Sequence, residues 1–126
     1  EDFEETYGRE ARRLYGDDVI DAANERMMAL SRDEWDAKEL LEDSIKVQLR
    51  LAMASGDAGG AEALELARMH ERWIRIHWGD EAYSRQAHLG LARAYLEDER
   101  FRAYYDGAAG PGATDFLVDV LEAYLS

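Results

Sequence analysis

The chain contains no cysteine. That excludes a disulfide framework, a thiolate zinc site and a nucleophilic thiol, and it fits the reducing cytoplasm. There is a single proline, Pro111. β-Branched residues are few and no stretch alternates apolar with polar residues, so strand signals are missing. No apolar run approaches the ~20 residues that a membrane-spanning helix needs, and no basic-then-apolar leader opens the chain. The first residue is Glu1 rather than Met, as expected for a piece of a longer protein. Cationic groups are outnumbered as well. Fifteen Lys and Arg residues stand against 28 Asp and Glu, a formal net charge of −13. Nucleic-acid binders need cationic surface to displace counterions from phosphates. This stretch is therefore not expected to grip DNA or an anionic membrane by itself. A solvated acidic surface accounts for the charge; a basic partner or cationic ligand is the alternative.

What is present is helical periodicity. A chain of 126 residues suits one domain and is long enough to bury a core without staples. Phe3, Tyr7, Ala11 and Leu14 make one stripe that stops at Gly16. A second helix is expected over about Asp17 to Leu30, with acidic residues at its positive end. "SRDE", Ser31 to Glu34, has the spacing of a capping box and should open a long helix reaching Ser55, roughly 36 Å in length. "GDAGG" (Gly56–Gly60) is the clearest break, either a hinge or an ordinary helix–helix turn. Further helices are expected from Ala61 to Trp78, from Ser84 to about Leu96, and from about Asp98 through Tyr105. Gly107–Gly112 reads as a loop, and a last helix with Thr114 or Asp115 as its cap runs to the end. The fold class is all-α.

Catalytic and metal-binding patterns are weak. His70 and His77 lie seven residues apart, about 10 Å along a helix, too far to share one ion. They are read as edging the core with their polar atoms hydrogen-bonded, or as lining a pocket. Carboxylate pairs such as Asp17/Asp18 and Asp98/Glu99 suit helix starts. No nucleophile elbow or phosphate loop is present. No enzyme activity, metal or cofactor is expected. The surplus lies elsewhere, in Met27, Met28, Met53, Met69, three tryptophans and a Tyr/Phe cluster. Such side chains fill cores, and they also wall adaptable apolar clefts. By spacing, the expected wall is Met27, Trp35, Met69, Trp73, His77, Tyr95, Phe101, Tyr104 and Tyr105, with Trp73 and Tyr104 stacking and His77 orienting a polar edge.

Three segments, "ALELARMHERWIRIHW", "HLGLARAYLEDERFRAYYD" and "GATDFLVDVLEAYL", together resemble the TipAS antibiotic-recognition domain of MerR-family transcription regulators. The resemblance rests on the His70–Trp73 helix, on Tyr95, Asp98, Arg100, Phe101, Tyr104, Tyr105 and Asp106, and on the helix after Gly112. "YGREARRLYGDD" and "SRDEWDAKELL" extend it forward more weakly. It implies a globin-like helical domain with an apolar cleft for a bulky hydrophobic molecule such as a thiopeptide. It also implies a mobile front, residues 1–55, that closes as a lid on a compact core, residues 57–126. DNA binding would belong to a separate N-terminal domain, and the intact regulator would be a homodimer. With no cysteine here, ligand binding is expected to be noncovalent. A helical interaction module without a small-molecule ligand is the competing expectation.

Overall fold

The computed structural model describes residues 17–126, and among these all regular structure is helical. The stripe Phe3 to Leu14 lies outside the described residues. Six helices follow one another: α1 (Asp17–Met28), α2 (Arg32–Ser55), α3 (Ala61–Trp78), α4 (Arg85–Glu97), α5 (Glu99–Ala109) and α6 (Ala113–Leu125).

Local chemistry sets most of the ends. The Ser31 hydroxyl accepts the Glu34 amide at 3.1 Å, and the Glu34 carboxylate takes the Ser31 amide at 2.8 Å, closing the expected capping box of α2. Ser84 caps α4 by accepting from the Ala87 amide, and Asp98 caps α5 by accepting from the Arg100 amide. The Gly56–Gly60 segment is a tight turn in which the Asp57 carboxylate accepts the Gly59 amide at 2.9 Å. α2 then lies against α3, giving Ile45, Leu49 and Ala52 to the same core as Ala63, Leu66, Ala67 and Ile74.

α3 ends at Gly79, whose φ of +85° suits glycine alone. The Arg26 side chain of α1 closes over this spot, and a Cβ at Gly79 would sit 3.0 Å from its guanidinium carbon. α6 is the most enclosed helix, burying Leu117, Val118, Val120, Leu121 and Leu125. Each such side chain contributes about 1.5–3 kcal/mol when fully removed from water.

Two boundaries differ from the sequence expectation. α5 runs on through Gly107 to Ala109, so the loop begins only at Gly110. The extension is held from outside: the Arg50 guanidinium donates to the Ala108 carbonyl at 2.6 Å. α6 starts at Ala113 on Gly112, with neither Thr114 nor Asp115 as its N-cap. Thr114 is fully buried, and its amide and hydroxyl both donate to one Asp106 oxygen at 2.9 Å. A carboxylate at the end of α5 thus supplies the cap that α6 lacks.

Candidate functional site

The expected wall residues come from five helices. Trp35 lies on α2, Met69, Trp73 and His77 on α3, Tyr95 on α4, and Phe101, Tyr104 and Tyr105 on α5. Residues 69, 73 and 77 are four apart, so they rise along one side of α3, and Trp73 reaches Glu42 of α2.

The rings form a continuous series. Tyr104 meets Tyr105 edge-on at 5.0 Å between centroids, Tyr105 meets Tyr95 at 5.2 Å, and Phe101 joins Tyr95 at 4.5 Å. Tyr95 meets His70 edge-on at 5.9 Å. His70 leads to Trp73 at 6.1 Å, and Trp73 to His77 at 4.1 Å. Six of the nine expected residues are therefore linked, and the link runs through His70, which was not among them. Trp73 and Tyr104, the two rings expected to stack, sit in different surroundings. Trp73 is held by His77 and by its indole hydrogen bond, whereas Tyr104 turns to Tyr105 and to the Lys46 ammonium 4.9 Å from its ring centre. Met69 is buried in the aliphatic core, and Met27 on α1 is half-buried. Trp35 remains 39% exposed and Tyr104 46% exposed, the most exposed of the wall residues, whereas Trp73, His77 and Phe101 are half-buried.

Polar groups grip the series from both sides. Glu42 on α2 accepts the Trp73 indole N–H at 3.1 Å and the Lys38 ammonium at 2.6 Å, both on Oε1. Burial pushes the Glu42 carboxyl up, but these two bonds outweigh it and hold it below the ordinary carboxylate range. Lys38 is almost completely buried and lies 4.6 Å from the centre of the Trp35 ring. The chain has only two lysines, Lys38 and Lys46, and each lies over one of the two most exposed rings of the wall. His77 donates Nδ1–H to the Trp73 carbonyl at 2.9 Å, and burial keeps its pKa below the usual value, so Nε2 is left as an acceptor.

Behind the rings runs a buried polar row. The Tyr83 hydroxyl is 2.7 Å from His88 Nδ1, His88 Nε2 is 2.8 Å from His70 Nδ1, and His70 Nε2 is 3.1 Å from the Tyr95 hydroxyl. The two imidazoles stack at 5.0 Å with planes 13° apart. Burial drives the His70 pKa down to about 3 and that of His88 to about 4, so both are neutral. Tyr83 is pushed up to about 12 by burial and by Glu71. Periodicity placed His70 at the edge of the core; it is instead at the centre, 1% exposed. Lone histidines and tyrosines on different helices carry no sequence signal of such a row. The scarcity of lysine was the one legible pointer to Lys38 and Lys46.

A separate groove of about 130 Å³ opens between the Ala58–Gly60 turn, α3 and α6, lined by Leu64, Ala67, Val120 and Tyr124 among others. None of the nine expected residues lines it, and it is small beside the roughly 300–1,000 Å³ of drug-sized sites. Among the described residues no cluster of three or more metal-ligating side chains occurs, and no helix is long and apolar enough to cross a membrane.

Comparison with known proteins agrees over almost the whole length. The family described as the TipAS antibiotic-recognition domain matches residues 7–124. The HTH-type transcriptional activator mta of Bacillus subtilis (strain 168) is 25% identical over 124 residues, covering 98% of this chain and 47% of that protein. The chain thus spans about half the length of this curated relative. No solved structure shows significant similarity.

Proposed function

Because the chain belongs to the TipAS antibiotic-recognition domain family, we propose that it is the ligand-sensing domain of a MerR-type transcription regulator and binds a bulky hydrophobic molecule noncovalently. The thiopeptide antibiotics are the first candidates. The observation that carries this reading is the ring series from Tyr104 to His77, which offers aromatic surface across three helices with polar handles at Glu42, Lys38 and His77 Nε2.

In the described arrangement the inner rings lean on one another, and Tyr95 is 1% exposed. A guest therefore enters from the most exposed members, Trp35 and Tyr104, and moves apart rings that now touch. The front, residues 1–55, closes over the guest as a lid. Burial of ligand surface against these rings supplies the driving force, about 25 cal/mol per Å² of apolar area. Ordering the lid consumes part of it, since fixing one residue costs roughly 1–2 kcal/mol. The ligand selects the closed state by its higher affinity for it.

The protein acts in the cytoplasm, and contact with DNA lies in a part of the regulator outside this stretch, as does the dimer contact. The relative's printed name, a transcriptional activator, supports that division. A thermal-shift screen with hydrophobic antibiotics tests the reading: a ligand of the folded form raises Tm. If thiopeptides and other large apolar antibiotics all leave Tm unchanged at high micromolar concentration, the sensor reading fails.

One feature favours the interaction-module reading. Leu40, Val47 and Leu51 are 67%, 46% and 52% exposed and share the side of α2 that faces away from Ile45, Leu49 and Ala52. Loss of self-association or partner capture on changing these three residues, with no ligand response at all, would decide for it.

A further inference from the structure

The row Tyr83–His88–His70–Tyr95 has a property that follows from counting protons. Each neutral imidazole carries one N–H and one lone pair. Each of the three links is 2.7–3.1 Å long, so each needs one donor and one acceptor. Only two arrangements satisfy all three links. In the first, Tyr83 donates to His88 Nδ1, His88 Nε2–H donates to His70 Nδ1, and His70 Nε2–H donates to Tyr95. In the second every direction is reversed: Tyr95 donates to His70 Nε2, His70 Nδ1–H to His88 Nε2, and His88 Nδ1–H to Tyr83. Any mixed arrangement sets two hydrogens or two lone pairs face to face at one link. The two histidines must therefore always be the same tautomer, both Nε2–H or both Nδ1–H.

We propose that Tyr83, His88 and His70 are positioning residues that decide, as one all-or-none relay, whether the Tyr95 hydroxyl accepts or donates at the aromatic site. In its functional meaning this rests on the ligand-sensor reading. In the first state the Tyr95 oxygen accepts from His70 and its own hydrogen turns to another acceptor. In the second that hydrogen is spent on His70. A ligand or ring movement that changes the role of Tyr95 is thus felt at Tyr83, on the loop between α3 and α4. Interconversion passes one proton along the row from one phenol to the other, with solvent supplying it at one end and removing it at the other.

The surroundings suit a neutral row. His70 is sealed from solvent at 1% exposure and His88 at 0%. The charged groups that act on its outer end are Glu71 and Arg75 of α3 and Arg85 of α4, of which Arg75 lies 4.0 Å over the Tyr83 ring. The charges of Glu71 and Arg75 are already engaged. Arg75 pairs with Glu71 at 2.7 Å and with Asp80 at 3.1 Å, and Glu71 also accepts from the Tyr124 hydroxyl of α6 at 2.7 Å. One added proton could still be hydrogen-bonded, with both phenol oxygens accepting, so it is burial rather than the links themselves that keeps the row neutral.

The test reads imidazole tautomers by long-range ¹H–¹⁵N correlation in the ligand-free protein at pH 7.5. A buried orphan N–H is rarer and costlier than an orphan lone pair. Tyr83→Phe should therefore drive both histidines to Nε2–H, leaving only a lone pair of His88 unmet. Tyr95→Phe should drive both to Nδ1–H, including His88, which does not touch Tyr95. Opposite tautomers at His70 and His88 in the wild type, or the same tautomer at His88 in both variants, would overturn the relay. Should Tyr95→Phe not fold, Tyr83→Phe decides alone: His70 as Nε2–H supports the relay and as Nδ1–H refutes it. Because no ligand is present, a failed relay leaves the sensor reading standing, and a failed antibiotic screen leaves the relay standing.

Discussion

Trp73 donates its indole N–H to Glu42 across the seam between α2 and α3, Nε1 to Oε1 at 3.1 Å. The same oxygen neutralises the nearly buried Lys38. Glu42→Ala would leave an ammonium and an indole N–H without their acceptor, and should cost about 1–3 kcal/mol in urea denaturation. Glu42→Gln keeps an acceptor for both and should cost less. Equal losses for the two variants would show that the seam does not depend on this oxygen.

Stability should fall as the solution is acidified from neutrality, before the carboxylates titrate. Unfolded histidines protonate near 6.5, whereas folded His70 and His88 do so only near 3 and 4. Between these values the unfolded chain binds more protons, so the stabilisation is complete above about pH 6.5 and is lost as pH drops toward the folded values. His77, also lowered by burial, adds in the same direction. Glu42, Glu71, Asp98 and Asp106 are all held below their ordinary values, so they stay charged in the window from pH 6.5 to 4.5. Denaturation midpoints at pH 7, 6, 5 and 4.5 check this, and a flat profile would contradict it.

Asp106 should behave as the cap of α6 although it belongs to α5. Asp106→Ala removes the acceptor for the Thr114 amide and hydroxyl and should cost about 1 kcal/mol, the usual worth of a helix cap. Asp106→Asn retains an oxygen and should recover part of it. Amide exchange in the first turn of α6 should accelerate in the alanine variant more than exchange elsewhere.

Gly79→Ala should be costly for two separable reasons. The backbone conformation there, φ +85° and ψ 153°, is essentially reserved for glycine, at about 1–3 kcal/mol for other residues. The new methyl would also press on Arg26. Adding Arg26→Ala should relieve the second part and leave the first, which a double-mutant cycle on Tm would resolve.

Tyr104 separates ligand recognition from folding. It is nearly half exposed, so Tyr104→Ala should lower stability by less than about 1 kcal/mol while reducing the Tm rise given by a bound antibiotic. Trp35→Ala should act alike, since its ring is the other strongly exposed part of the wall. An undiminished Tm rise in both variants would remove these rings from the site.

The sequence by itself determined the helical class, the order of the elements and most of their ends. Those features depend on neighbours within one turn: a 3.6-residue stripe, Ser31 paired with Glu34, Ser84 with Ala87, and glycine after α2 and α3. It also picked out six residues whose rings do meet, because aromatic side chains on inner faces of packed helices have little room to avoid one another. The tertiary structure alone decided the rest. Which group would hold the Trp73 indole, whether Gly107 would stay helical, and which carboxylate would cap α6 were settled by groups from other helices, Glu42, Arg50 and Asp106. The row through His70 and His88 joins residues 18 apart on two helices, and its meaning lies in hydrogen-bond directions that arise only once water is gone. Side-chain identity and spacing encode what a helix buries; they do not encode which buried polar atom finds which, since that depends on the rotation and offset of one helix against the next.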